Sequence, residues 1–506
     1  MVSSFFQKFR TTFLWERVAV ILILLLGLVF RLRQFLTGRS LWLDEAMLVL
    51  NIVNRNFAGL FQPLEYDQGA PIGFLLVEKS LNIMFGDHEF VFRLFPFMAG
   101  VAALGLFYLL LRRTTSGVSL LTGLALFAVG PKLVYYSSEA KQYILDVTVT
   151  LLVLLLAIRI LEGRADKRDH IALGLAGLLA MWFSHPVLFV LASIGICLFI
   201  QAITRRKRFQ LSSVLLIGVA WLANLGLLYS VSLKGLSQNT FLLNYWQENF
   251  MPMPPWSNWG WFGTIFKGLI QNQIGISVSV WLVLIIFLLG FISLYTENKT
   301  YAAILLITFI FVLIASALRL YPLGGRLSLF LIPLMIIAIS QSVNALEQGL
   351  NAQCNWGKLV AILVGIYLLY APVDESFSIF RNPKYFEHIR PSMATLSENW
   401  QAGDKLFVSN GAVPAFRFYA DRYGLGNIDF QTSEASDYLE PDKIVSRLQA
   451  LDGYPRVWIL ITHVYETKDF NEKDFLLSSL DQLGEHKREF RSPGTSVYLN
   501  LYDLSP

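Results

Sequence analysis

Asp44 and Glu45 stand side by side in Ser40-Leu-Trp-Leu-Asp-Glu-Ala-Met-Leu-Val49, just past the first long apolar run of the chain. Carboxylates at the edge of a membrane are costly unless solvated or partnered, and one that faces a cavity is suited to proton abstraction or transport. A second polar group follows at Tyr135-Tyr-Ser-Ser-Glu-Ala-Lys-Gln-Tyr-Ile-Leu-Asp146. In a helix beginning near Ser138, residues Glu139, Gln142, Tyr143 and Asp146 would share one face, which predicts an inward-turned polar stripe. The third group, Arg319-Leu-Tyr-Pro-Leu-Gly-Gly-Arg326, puts two arginines and two glycines at the start of a helix. Free backbone N–H groups and the helix dipole favour an anion there, so the segment reads as a phosphate seat.

Less specific readings stand beside these. Asp44 could cap a helix over 45–57. Arg31, Arg33 and Arg39 could either snorkel to lipid headgroups or hold a ligand. Lys141 and Glu139 could be an ordinary surface pair. His185, before Pro186, reads as structural. Trp246, Trp256, Trp259 and Trp261, in a long outer loop over 233–272, read as an interfacial belt first and a substrate clamp second.

The elements that must position these residues are membrane helices. Of the 506 residues, 55% are hydrophobic and 15% charged, with a mean hydropathy of +0.53, which excludes an ordinary soluble globule. Eleven apolar segments approach the roughly 20 helical residues needed to cross a hydrocarbon core. They lie near 18–36, 90–111, 118–135, 143–161, 170–184, 186–203, 212–232, 273–295, 301–319, 326–345 and 358–373. The segment over 70–86 is short and carries Glu78 and Lys79, which predicts an interfacial helix. With that choice Lys8, Arg10 and Arg17, the Arg112 pair, Arg159 to Arg168, Arg205-Arg-Lys-Arg208 and Lys358 fall on one side. The positive-inside rule then gives a cytoplasmic N-terminus and puts the three polar groups outside. The net charge of +5 therefore reports topology and not a nucleic-acid partner. Cys197 and Cys354 lack the spacing of a metal or redox pair.

From about 376 the composition becomes polar. Strands are expected over 405–409, 456–461 and 496–502, with helices near 413–421, 443–451 and 475–483, which predicts a small α/β domain. The domain organisation is thus 1–375, a membrane module, and 376–506, an extracytoplasmic domain that either covers the site, the reading favoured here because it holds no constellation of catalytic residues, or binds acceptor.

The ordered motifs resemble those of the GT-C glycosyltransferases. They are the Asp-Glu pair after the first span, Asp67-Gln-Gly-Ala-Pro71 opening an amphipathic helix, Phe85-Gly-Asp-His-Glu-Phe-Val-Phe-Arg93 leading into a span, Glu139 to Asp146, and Tyr321-Pro-Leu-Gly-Gly-Arg326. The resemblance is to the protein O-mannosyltransferase-like branch, which includes lipid A aminoarabinose transferases, and covers roughly 15–350. It implies a polytopic GT-C fold and transfer of a sugar, with inversion, from a polyprenyl-phosphate donor to an acceptor on the outer face of a bacterial inner membrane. By position Asp44 is implied as general base, Glu45 as its orienting neighbour and Asp146 as the second acid. Lys141, Arg326 and more weakly Arg93 and Lys79 would neutralise the phosphate, while Glu139, Asp67, Gln68, Tyr143 and Tyr321 would line the substrate. Gly69-Ala70 stand where some relatives carry a charged residue before the proline, so no metal is expected. A lipid-linked glycan polymerase or ligase is the nearest alternative. A flippase or transporter is a further one, although the inverted repeats and broken helices expected of it are not evident.

Overall fold

The computed structural model describes residues 14–163, 165–206, 208–277, 279–354, 356–383, 385–434, 441–492 and 494–506. Lys8, Arg10, Arg164 and Lys207, used in the topology reading, lie outside the described residues. The chain divides into two compact units, 1–37 with 56–382, and 38–55 with 383–506. The sequence boundary at 375 and the structural one at 382 lie close together. The segment 38–55, however, is grouped with the C-terminal residues and not with the membrane helices that flank it.

In the first unit, nine helices among the described residues are long and apolar enough to cross a membrane. Lys167–Phe183 and the shorter apolar helix Gly117–Val129 account for the other two expected segments. The chain is thus a polytopic α-helical membrane protein. The helix within Gly325–Leu350 is the most enclosed, with 83% of its apolar window buried, against 17% for Phe209–Ser237. The first is built into the bundle, whereas the second exposes Leu215, Leu216, Val219 and Leu222, an apolar face suited to lipid.

The segment expected as one span over 118–135 is instead two helices, Gly117–Val129 and Pro131–Tyr136. Pro131 has no N–H and its ring blocks continuation of the preceding helix. The break leaves terminal carbonyls without helical partners, and inside a bundle they must be satisfied. Arg31 does this, donating to the Ala128 carbonyl at 2.8 Å and the Phe127 carbonyl at 3.4 Å. Ser376 donates to the carbonyl of Val129. Arg31 is fully buried, so it does not snorkel to headgroups. It stops the end of a helix.

Ile72–Phe85 is a 14-residue helix, too short to span, as the charge at its centre implied. Glu78 is buried in it, and both carboxylate oxygens lack a hydrogen bond among the described residues. Burial pushes its pKa well above the carboxylate range, since the charged form is disfavoured there. The folded protein then holds a proton that the unfolded chain releases above about pH 4.5, and stability falls as pH rises from that value toward the raised one. Glu78→Gln mimics the protonated form. It is expected to raise the melting temperature of the detergent-solubilised protein by on the order of 2 °C at pH 8, with a smaller gain at pH 5. A lower melting temperature at both pH values would contradict this account.

The second unit is built on a five-stranded sheet of β1 (Lys405–Val408), β2 (Phe430–Thr432), β3 (Val457–Ile461), β4 (Glu485–Arg491) and β5 (Tyr498–Asp503) in the order β2-β1-β3-β5-β4. β2, β1 and β3 run parallel, while β5 is antiparallel to both β3 and β4. β3 is buried at every position, as the uninterrupted Val-Trp-Ile-Leu-Ile run requires of a central strand. The predicted α/β domain is present with its expected helices at Val413–Tyr419, Pro441–Gln449 and Glu472–Asp481. β2 and β4 were not foreseen. β4 reads Glu-His-Lys-Arg-Glu-Phe-Arg and is exposed along almost its whole length. An edge strand is protected from further pairing by such charges, which also erase the apolar alternation that would reveal it.

The helix Leu43–Asn54 belongs to this unit. Its buried face, with Ala46, Leu48, Val49 and Ile52, packs with the helix Val413–Tyr419. Its N-terminal approach is tied down by Tyr419 Oη, which accepts the Leu41 N–H at 2.9 Å, and by Ser40 Oγ, 2.9 Å from His388 Nδ1. Arg390 also donates to the carbonyl of Gly38.

Candidate active site

In the membrane unit, three distant stretches are joined by named bonds. Tyr66 and Asp67 have φ of 59° and 51°, a left-handed turn of the kind that favours short polar side chains. This turn presents Gln68, whose side-chain oxygen accepts from Lys141 Nζ at 2.5 Å. Gln142 Nε2 donates to the Gly69 carbonyl at 3.3 Å. Asp67 accepts from Asn239 Nδ2 at 2.8 Å, while the Asn239 side-chain oxygen caps the six-residue helix Thr240–Tyr245. A cβ on Gly69 would lie 2.8 Å from Leu236, so glycine lets the turn approach closely.

The helix expected to begin near Ser138 begins at Tyr143. Residues 137–142 form turns in which the Lys141 N–H bonds the Glu139 carbonyl at 2.7 Å. Glu139, Gln142, Tyr143 and Asp146 therefore do not form a helical stripe, although all four are buried, as is Lys141. The turn fits because Gly100 leaves room. A Cβ there would overlap Ser137 Oγ at 2.2 Å, and the Ser137 hydroxyl is itself held by the Leu133 carbonyl at 2.6 Å. Asp146 lies in the first turn of Tyr143–Leu161. Arg93 is buried in the helix Glu89–Leu111, and Lys79 in Ile72–Phe85.

The third stretch carries Arg326. Gly325–Leu331 is a 3-10 turn leading into the long helix Ile332–Cys354, not the regular helical start that was expected. The backbone comes so close to its neighbour that a Cβ on Gly324 would sit 2.0 Å from Asn249 Nδ2. Asn249 also accepts the Leu323 N–H at 2.8 Å. Tyr321 spends its hydroxyl proton on the Leu327 carbonyl at 2.7 Å and packs edge-on against Phe189 at 5.3 Å, so it shapes the turn. The guanidinium of Arg326 lies 5.4 Å from the ring centroid of Tyr143 and 5.9 Å from that of Trp246. Aromatic faces attract and orient a cation. Arg319 is exposed, whereas Arg326 is partly buried.

Trp246 was read from the sequence as one tryptophan of a belt first and of a substrate clamp second, and its place beside Arg326 was not foreseen, because no sequence spacing links the two. Among the described residues no group of three or more His, Cys, Asp or Glu side chains is arranged to hold a metal ion.

In the C-terminal unit, Leu43–Asn54 starts from Trp42, so Asp44 lies in the first turn and is not the cap. Glu45 serves there, with its carboxylate accepting the Trp42 N–H at 3.4 Å, and is fully buried. A further carboxylate reinforces the same helix start: Glu387 Oε2 accepts the Leu43 N–H at 2.9 Å. Acidic groups at a helix N-terminus satisfy free N–H groups and complement the dipole. Glu387 is 344 residues from Leu43, and only the fold shows its role. Its other oxygen lies 2.7 Å from His463 Nδ1.

That hydrogen bond raises the His463 pKa, with burial opposing it. A histidine whose folded value exceeds its unfolded one stabilises the fold most below the unfolded value, about 6.5, and ceases to do so as pH rises through the raised value. His463 is half-exposed, so solvent screens the effect. Hydrogen exchange of the 41–54 amides, compared with His463→Gln at each pH, is expected to show greater protection in the wild type at pH 6 and convergence of the two proteins by pH 9. Equal protection at pH 6 would contradict the link.

Residues 68–227 match the family model described as dolichyl-phosphate-mannose-protein mannosyltransferase. The matched stretch includes Gln68, Arg93, Glu139, Lys141, Tyr143 and Asp146 and does not reach Asp44 or Arg326. Among solved structures, the chain is similar to ArnT from Cupriavidus metallidurans bound to undecaprenyl phosphate, with 14% identity, a TM-score of 0.50, and 96% of this chain and 98% of that one covered. It is also similar to the archaeal oligosaccharyltransferase AglB from Archaeoglobus fulgidus in complex with an inhibitory peptide and a dolichol-phosphate, with 12% identity, a TM-score of 0.51, and coverage of 99% and 75%. No curated protein matches the chain. The GT-C resemblance read from the motifs is borne out by the family-model match together with the fold.

Proposed function

We propose that this GT-C type membrane protein is a glycosyltransferase that takes a sugar from a polyprenyl-phosphate donor and passes it, with inversion, to an acceptor hydroxyl on the extracytoplasmic face of a bacterial inner membrane. The observation that carries this reading is one cation placed at Tyr143 and a second two residues before it in the chain. Arg326 lies over its ring, and Lys141, two residues before it, is bonded to Gln68. A polyprenyl-phosphate leaving group gains charge as the glycosidic bond breaks, and fixed cations stabilise that charge without reorganising. The two relatives of like fold, named with undecaprenyl phosphate and dolichol-phosphate, support the same donor class.

In this mechanism the Asp44 carboxylate takes the proton of the acceptor hydroxyl as its oxygen attacks the anomeric carbon. The carbon–oxygen bond to the phosphate breaks on the opposite side, and its electron pair leaves with the polyprenyl phosphate. Glu45, held at the helix start, keeps the Asp44 backbone in place. Lys141 and Arg326 meet the departing phosphate, with Arg93 contributing positive charge, while Asp67, Gln68, Glu139 and Tyr143 shape the donor side and Tyr321 holds the Arg326 turn. Asp146, buried in the first turn of its helix, is the second acid of the site.

The test is sugar transfer by purified protein from a panel of short-chain polyprenyl-phosphate sugars, reading released polyprenyl phosphate and the anomeric configuration of the product. Inverted product from at least one donor is expected. Turnover only with pyrophosphate-linked glycans would favour the polymerase or ligase alternative. No turnover, with movement of labelled lipid across vesicles, would overturn the transferase reading.

A further inference from the structure

A cleft of about 420 Å³ opens within the C-terminal unit. One wall is Trp42, two residues before Asp44; Phe386 and Tyr498 supply two more rings. The Trp42 ring centroid is 5.9 Å from that of Phe386 and 6.5 Å from that of His463. Glu466, Asn471 and Asp474 line the same cleft, groups rich in hydrogen-bond acceptors.

The cleft is preorganised. His463 at one side is held by Glu387. Its rim, the loop after β3, folds back through a bridge between Glu466 and Asn471, with the Thr467 N–H bonded to the Phe470 carbonyl at 2.8 Å. The loop is anchored by the buried Glu472, which accepts the Tyr465 N–H at 2.9 Å. Lys473 lies 3.3 Å from Asp474 Oδ1 and 4.8 Å from the Tyr498 ring centroid, so its charge is already matched. Acidic side chains outnumber basic ones, which disfavours a phosphate or other anion. A lining of flat apolar rings together with hydroxyl-accepting groups fits a ligand that presents both C–H faces and many O–H donors.

We propose that this cleft binds a neutral sugar ring of the acceptor, so that the acceptor is a glycan or glycolipid, with its ring against Trp42 and its hydroxyls donating to Glu466 and Asp474. The proposal rests on the transferase reading and names its acceptor class. A wall of the cleft continues directly into the helix of the general base, so a seated ring and Asp44 share one rigid unit, which suits an acceptor-side site.

Saturation-transfer NMR on the full-length protein in detergent, with α-mannobiose, cellobiose and chitobiose as probes at millimolar concentration, tests it. Saturation of ring C–H protons by at least one probe is expected, with affinity weakened about ten-fold by the double variant Glu466→Gln/Asp474→Asn, whose side chains are exposed and outside the core. Trp42→Leu is expected to abolish the signal, and Lys487→Ala on the β4 surface to leave it unchanged. No saturation with any probe, saturation indifferent to the double variant, or equal competition by mannose 6-phosphate would overturn the proposal. The panel assay on the same preparation separates the two readings. Transfer without disaccharide binding removes the cleft and leaves the transferase. Disaccharide binding without turnover of any polyprenyl-phosphate sugar leaves the cleft and removes the transferase.

Discussion

Asp44→Asn is expected to reduce sugar transfer about 100-fold or more, roughly 2.7 kcal/mol of transition-state stabilisation, with donor binding retained. Asparagine keeps the size of the side chain and loses its ability to accept the acceptor proton. The substitution is clean because Asp44 does not cap its helix. Glu45 accepts the Trp42 N–H and Glu387 accepts the Leu43 N–H, so the helix start survives the change. Single-turnover transfer measured against pH, alongside donor binding by calorimetry, checks the result. A variant within ten-fold of wild type would remove Asp44 from the role of base. Glu45→Gln serves as the contrast. It alters a fully buried group and is expected to loosen the helix start, seen as faster hydrogen exchange over 41–54.

Arg326→Ala is expected to lower transfer by about 10²- to 10³-fold, the range typical of deleting a group aimed at developing charge. Because the leaving-group charge grows toward the transition state, kcat should fall more than KM rises. Arg326→Lys should restore only a small part. The guanidinium of Arg326 lies over the rings of Tyr143 and Trp246, and a lysine ammonium has neither a plane nor a forked donor set to offer there. Trp246→Leu therefore becomes informative: it removes one of the two rings and should reproduce part of the Arg326 defect. Full rescue by lysine, or an unaltered kcat in Arg326→Ala, would show that Arg326 does not meet the leaving group.

The membrane class and the helices were legible because crossing a hydrocarbon core demands long apolar runs, and no later contact can relax that demand. All eleven predicted segments coincide with helices. The exceptions in detail are 273–295, where the spanning helix begins only at Val280, and 118–135, where Pro131 starts a new helix. The proline was visible, but the partners that make a break tolerable, Arg31 and Ser376, lie far along the chain. The helix start before Asp146 was misplaced for a related reason. Periodicity accommodates residues 138–146 on one face, whereas the bond from Lys141 to Gln68 and the close approach at Gly100 favour turns until Tyr143.

By itself, the amino-acid sequence determined that this chain is a polytopic membrane protein with a small α/β domain, and it marked Asp44, Lys141, Asp146 and Arg326 as unusual. Hydropathy, charge and residue type are local properties, and they survive in any one-dimensional reading. Only the tertiary structure decided that residues 38–55 pack with the C-terminal unit, that Glu387 completes the start of the Asp44 helix, and that Tyr143 and Trp246 flank Arg326. Each of these rests on hydrogen bonds or ring contacts between residues distant in sequence, whose energies depend on angstrom-scale approach and leave no periodic trace in the chain.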